Sequence, residues 1–262
     1  MALLPGSCLP TDLATGTTPV ARDAAEVVRL AQSAPTLARL DARSSVCRAC
    51  PRLVDWREEV AETKRASYAQ DVYWGRPVTG WGADKPRILV SGLAPAAHGG
   101  NRTGRIFTGD RSGDWLYGAL HRAGLATQAT STTARDGQQL LNTRITLGVR
   151  CAPPGNKPTT QERDACSPWL VQELAFVLPT VRVAVALGGF AWTALLLALR
   201  GAGLVLPSPM PAFAHGAEVT LDSGLVVLGC YHVSQQNTFT GRLTEPMLDA
   251  VLSRAKQLAD LR

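Results

Sequence analysis

Arg87-Ile-Leu-Val-Ser-Gly-Leu93 is an apolar run of strand length that empties into a loop of small residues beginning Ala94-Pro-Ala-Ala-His-Gly-Gly100. No polar alternation interrupts the run, so it reads as a strand buried on both faces, inside a sheet covered by helices on each side. The unit recurs. Arg144-Ile-Thr-Leu-Gly-Val149, Val181 to Leu187 and Leu225-Val-Val-Leu-Gly-Cys-Tyr231 read as further strands. Ser112–Ala123, Ser167–Leu178, Phe190–Leu199 and Thr244–Leu261 read as the intervening and closing helices, with Ser167 as N-cap and Pro168 in its first turn. This alternation predicts an α/β three-layer sandwich around a central four-stranded, mainly parallel sheet. Ligands of such sheets bind beyond the carboxyl ends of the strands. The loops after Leu93, Val149 and Tyr231 are therefore the places to look for chemistry.

Upstream, apolar Val27, Val28, Leu30 and Ala31 follow Asp23 as a short N-capped helix that Pro35 ends. A second helix is expected over Leu53–Tyr68, and Tyr73–Asp84 reads as loop because Gly and Pro recur in it. Residues 1–22 are expected to be a flexible lead-in to one domain over 23–262. The chain has 262 residues, 45% of them hydrophobic and 18% charged, which excludes a disordered polymer. Its apolar stretch Val181–Leu199 is broken by Gly188-Gly189, so no membrane span is expected. The start Met1-Ala-Leu-Leu-Pro-Gly-Ser7 carries no basic stretch before its apolar residues, so a signal peptide is not expected. A cytoplasmic protein with reduced cysteines follows as the expectation. The net charge of +6 suits a polyanionic partner, though many basic proteins bind none.

Of six cysteines, Cys47-Arg-Ala-Cys50 forms one close pair, and Cys151 and Cys166 flank a Pro-rich loop a hundred residues later. Four thiolates so placed suit a tetrahedral zinc or an iron–sulfur cluster, and spacing does not separate the two. The blander reading is that Cys47 and Cys50 are ordinary, partly buried residues. Cys8 and Cys230 have no matching partner and read as free thiols, the second a small core residue.

Each loop has a sharp and a plain reading. In Gly92–Gly113, Phe107 suits stacking on a flat ring, and Asp110 stands just before a helix, where it is either a reactive carboxylate or a plain N-cap. The amides of Ser112 and Gly113 there are also suited to a phosphate. In Arg150-Cys-Ala-Pro-Pro-Gly-Asn-Lys-Pro158, Asn156 offers a donor and an acceptor, as a nucleobase edge requires, or is simply a turn residue. In Tyr231-His-Val-Ser-Gln-Gln-Asn-Thr-Phe-Thr-Gly-Arg-Leu-Thr244, His232 ends a buried strand and precedes a polar run unusual for a mere connector. His121 reads as surface, His215 lies in a Pro-rich loop, and His98 shares the first loop. Convergence of the three loops on one sheet edge weighs more than any single residue.

These segments resemble a known family. Gly92-Leu-Ala-Pro-Ala-Ala-His-Gly99 with Asn101–Arg105 and Phe107-Thr-Gly-Asp-Arg-Ser-Gly113 looks like the first signature of the family 5 (type B) uracil-DNA glycosylases. Arg150–Pro158 resembles the second signature and His232–Thr244 the third. The resemblance implies removal of uracil, and of other deaminated or damaged bases, from double-stranded DNA by cleavage of the N-glycosidic bond. It also implies that Cys47, Cys50, Cys151 and Cys166 ligate a structural [4Fe–4S] cluster. Asp110 would orient or activate the attacking water, Phe107 would stack on the extruded base, and Asn156 and His232 would hold it. Gly92, Ala94 and Gly109 would line the base pocket. Ser112 and the segment carrying Ser234, Gln235, Gln236, Asn237 and Arg242 would meet the DNA. Ala94 stands where relatives in other glycosylase families often carry a polar, water-activating side chain, and Leu147 where they place a uracil-reading Asn, which implies looser base choice. The usual His-Pro-Ser is His232-Val-Ser234 here. Arg102, Arg105, Arg111 and Arg242 are expected to hold phosphates. A monomer near the nucleoid, with no nucleotide cofactor, completes the expectation; a metal-stabilised, non-catalytic nucleic-acid binder is the alternative.

Overall fold

The computed structural model describes residues 12–261. Three helices come first: α1 (Ala24–Gln32), α2 (Leu37–Ser44) and α3 (Pro51–Thr63). Then follow β1 (Trp81–Gly82), β2 (Ile88–Gly92), α4 (Gly100–Thr103), α5 (Arg111–Arg122), β3 (Thr143–Leu147), α6 (Thr160–Val177) and β4 (Val183–Leu187). The chain ends with α7 (Gly189–Gly201), β5 (Glu218–Thr220), β6 (Val226–Cys230), α8 (Gln235–Phe239) and α9 (Glu245–Leu258).

The sheet order is β1-β3-β2-β4-β6-β5. Its central four strands, β3-β2-β4-β6, are parallel, as the unbroken apolar runs required. The sheet is wider than the four strands expected, because β1 and β5 add to its edges antiparallel. Both are too short to show a period in sequence, and β1 sits inside the Gly/Pro-rich stretch read as loop.

Pleating divides β2, β4 and β6 between two cores, whereas β3 gives Ile145 and Leu147 to one and turns Arg144 and Thr146 to the buried Glu173. Ile88, Val90, Val183, Val185, Leu187, Val226 and Leu228 face one core with Leu116 and Leu120 of α5 and Leu248 and Leu252 of α9. Leu89, Ala184, Ala186 and Val227 face the other, with Leu170 and Leu174 of α6 and Trp192, Leu195 and Leu199 of α7. Two buried faces explain why the strands carry no polar alternation.

Four local readings change. The eight-residue α2, capped by the Thr36 hydroxyl, follows Pro35 and was not expected. The helix expected over Leu53–Tyr68 starts at Pro51 and stops before Lys64, whose φ of 56° leaves the helical region. The helix expected from Ser167 begins at Thr160, since Thr159 and Glu162 form a reciprocal capping box. Pro168 consequently lies inside α6, where it cannot donate to the turn before it. Part of the expected lead-in lies against the domain: the Asp12 carboxylate pairs with Arg76 at 2.7 Å, and Ala21 is fully buried. Cys8 lies outside the described residues. Cys230 is buried in the core, as read.

Candidate active site

Because β2, β3, β4 and β6 run parallel, their carboxyl ends share one edge, and the three loops singled out in the sequence leave from it. Two contacts join the first loop to the third. The rings of Phe107 and His232 lie 6.2 Å apart, centre to centre, at 42°. Arg111, the first residue of α5, sits 5.7 Å from the ring of Phe239 at the end of α8.

Phe107 adopts φ 51°, a left-handed conformation that a bulky residue keeps only when its surroundings enforce it. Its ring lies over Gly92 and near Leu147: a methyl carbon added at Gly92 would be 3.0 Å from Phe107 Cζ and 3.0 Å from Leu147 Cδ2. The missing side chain at the end of β2 is what admits the ring.

Three residues on, Asp110 is the N-cap of α5, its Oδ1 accepting from the Gly113 amide at 2.9 Å. The plain reading of Asp110 as an N-cap therefore holds, and Oδ2 stays outside that bond. Gly113 is thus engaged by Asp110 and not held open for a phosphate. Burial pushes the Asp110 carboxyl above the usual range, against the amides of Gly113 and Ser112, which pull it down. Its seat exists because Gly99 lacks a side chain: a carbon added there would lie 1.8 Å from Asp110 Oδ2.

His232, just past β6, is half-buried, and burial lowers its pKa to about 4. At neutral pH its ring is uncharged. The Asn237 side chain donates to the His232 carbonyl at 2.8 Å and folds α8 back on the strand end. Gly188, at the end of β4, leaves room on the other side: an added carbon would sit 3.2 Å from His232 Cβ. The sequence reading took the Gly188-Gly189 pair only as a break in an apolar run.

The other expected site residues are distributed more loosely. Ala94 packs against Leu53, Val149 and Cys151. Gly109 sits against the Arg102 guanidinium, 2.4 Å from where its side chain would start. Asn156 is exposed on a left-handed turn, φ 57°. Ser112 and Ser234 are half-buried, and Gln235, Gln236 and Arg242 are exposed; the Arg242 guanidinium covers the Tyr231 ring at 4.6 Å.

Two of the four arginines expected on phosphates are internal instead. Arg105 is buried and donates to Ser131, Thr133 and Asp136. Arg102 binds Asp71 and two loop carbonyls. Basic loop residues look alike in sequence; what separates them is a carboxylate partner far along the chain. His98, a minor candidate, pairs with the Tyr73 hydroxyl at 2.9 Å. His121 is exposed, as read, and His215 stacks on Tyr231.

All four paired cysteines line one apolar cleft between α3, α6 and the segment that follows β3. Arg57 Nη1 donates to Cys151 Sγ at 2.9 Å and the Arg150 amide to Cys166 Sγ at 3.4 Å. Trp169 Nε1 and Arg57 Nε, from two lining residues, are buried without a hydrogen-bond partner. Sulfurs, donors and unused N–H groups together fit a bulky anionic sulfur-bound group. Among the described residues, no three His, Cys, Asp or Glu side chains close up on a single metal ion.

The family model for the uracil DNA glycosylase superfamily matches residues 79–256, the span that holds all three loops. The chain belongs to that superfamily. A type-5 uracil-DNA glycosylase of Mycobacterium tuberculosis is 58% identical over 232 residues, 88% of this chain and 85% of that protein. Type-5 relatives from Thermus thermophilus and Pyrobaculum aerophilum are 52% and 47% identical, covering 83% and 80% of this chain and 95% and 87% of their own. Within the superfamily, the chain is a type-5 member. No helix among the described residues is long and apolar enough to cross a membrane.

Proposed function

We propose that this chain hydrolyses the N-glycosidic bond of uracil, and of other deaminated or damaged bases, in double-stranded DNA, leaving an abasic site in an uncut strand. The observation that carries this reading is the meeting of the Phe107 and His232 rings, with Asp110 capping α5 three residues after Phe107. The names of the type-5 relatives support it.

A base in a duplex must first be turned out, at a cost of roughly a few kcal/mol that mispairing with guanine lowers. Phe107 then offers the extruded ring an apolar face. Cleavage develops negative charge on the base and positive charge on the sugar. A neutral His232 donates a hydrogen bond to the base, and Asp110 Oδ2 accepts a proton from water and faces the cationic sugar. Asn156, exposed on its turn, completes the hold on the base edge once DNA covers it. Of the loop residues only Lys157 is a lysine, and it is exposed, so water attacks directly with no imine formed. Arg111, Arg242 and the segment Ser234–Asn237 contact the backbone of the duplex. The leucine at 147 and the alanine at 94 select little, so base choice is broad. The enzyme works as a monomer on nucleoid DNA in the cytoplasm.

Cys47, Cys50, Cys151 and Cys166 hold a [4Fe–4S] cluster, which supplies a structural tie between the N-terminal helices and the sheet. Its support is the shared cavity and its unused donors. Freshly purified protein is expected to be brown, absorbing near about 400 nm; a colourless, zinc-loaded protein would overturn this assignment. Alkali treatment of a duplex oligonucleotide bearing one G·U pair tests the activity. The expected result is strand cleavage only after alkali, at the uracil. No alkali-labile site would leave a non-catalytic binder.

A further inference from the structure

We propose that Arg102 is a positioning residue that holds the two walls of the Asp110 seat together. This rests on the reading of Asp110 as the carboxylate that serves the attacking water.

Arg102 lies on α4, between the halves of the first loop. Its Nε donates to the His98 carbonyl at 2.7 Å and its Nη2 to the Gly109 carbonyl at 2.9 Å. Those two carbonyls immediately precede Gly99 and Asp110, the pair in closest approach at the carboxylate. One guanidinium therefore spans both strands of the loop directly behind the acid. Its third bond, Nη1 to Asp71 at 2.7 Å, and the Tyr68 ring 3.9 Å beneath Cζ fix the guanidinium from the other side. The side chain is only 10% exposed. With its donors committed to these three acceptors, it has little left for a phosphate.

The arrangement needs an arginine. A planar fork reaches three acceptors in different directions from one rigid group, whereas an ammonium on a flexible stem holds such a set poorly. Its positive charge also lowers the Asp110 carboxyl, opposing the effect of burial. Misplacement of a reacting group by about 1 Å costs on the order of 100-fold in rate, so a loosened seat is felt in catalysis.

The test is a double-mutant cycle read by single-turnover excision at saturating uracil-bearing duplex. Affinity is measured separately on a duplex carrying 2′-fluorinated deoxyuridine, which resists cleavage. Arg102→Lys is expected to slow saturated excision by about 10-fold or more and to leave affinity within about twofold. In an Asp110→Asn background the same change is expected to cost nothing further, because the group it positions is gone. Weakened affinity with an unchanged saturated rate would make Arg102 a phosphate contact and overturn the proposal. An equal slowing in both backgrounds would make its role generally structural and overturn it too. An Asp110→Asn protein as fast as the parent would instead sink the reading of Asp110, and the proposal with it. Should Arg102→Lys fail to fold, Asp71→Asn, which loosens the far anchor, is expected to give the same pattern with a smaller slowing. An unchanged rate there would count against the proposal.

Discussion

At the scale of single residues, what distinguishes this crevice is that each side chain proposed to take part in the chemistry also has a structural duty. Asp110 caps α5 with one oxygen and presents the other. His232 ends a strand and carries a burial-lowered pKa of about 4. The unfolded chain, with an ordinary imidazole pKa near 6.5, binds more protons than the folded one between those values. Folding stability is therefore expected to be fully present above pH 6.5 and to decline as pH falls toward 4. Urea midpoints measured at pH 7 and pH 5 check this, and His232→Gln should flatten the difference. The saturated excision rate should likewise show no inflection near pH 6.5, since His232 is already neutral there. His232 was recognisable in sequence from its place after a buried strand. Arg102 and Arg105 were not, because a loop arginine shows its duty only through partners such as Asp71 and Asp136.

At the scale of elements, the strands were legible because two buried faces forbid polar alternation, and the parallel order then brought the three loops to one edge. The antiparallel edges were not, since a two-residue β1 has no period. Nor was the true start of α6: Ser167-Pro168 imitates a helix beginning, but the capping box at Thr159 lies eight residues before Ser167 and prevails. The short helix α8 was legible as a polar segment expected to meet DNA but not as a helix, and it presents Phe239, 67% exposed, beside Arg111. A large ring left in water next to a basic residue suits stacking against DNA bases. Phe239→Ala is expected to reduce excision from duplex by about 10-fold, in line with roughly 1–3 kcal/mol for an aromatic–base stack. Single-stranded substrate, which needs no base extruded from a stack, should lose less; equal losses on both would assign Phe239 to packing.

Across the whole molecule, one buried ionic network ties the N-terminal helices to the sheet beside the cysteine cavity. Glu173 of α6, fully buried, accepts from Arg144 Nε and Arg150 Nη2 at 2.6 Å each and from the Thr146 hydroxyl at 2.7 Å. Burial pushes the Glu173 carboxyl up, but Arg144 and Arg150 outweigh it and hold the group ionised. Asp41 of α2 meets the same two arginines. Removing the central carboxylate would leave two buried guanidinium groups to share Asp41 alone, so Glu173→Ala is expected to cost about 3–5 kcal/mol, read as a lowered urea midpoint. The same network holds Arg150, just past the end of β3, in the lining of the cysteine cavity. The account as a whole stands on Asp110 as the group that serves the water in the base crevice. Single-turnover release of uracil from a G·U duplex, parent against Asp110→Asn, tests it most directly. Slowing by roughly 10²–10³-fold with duplex affinity preserved is the predicted result; equal rates for the two proteins would contradict it.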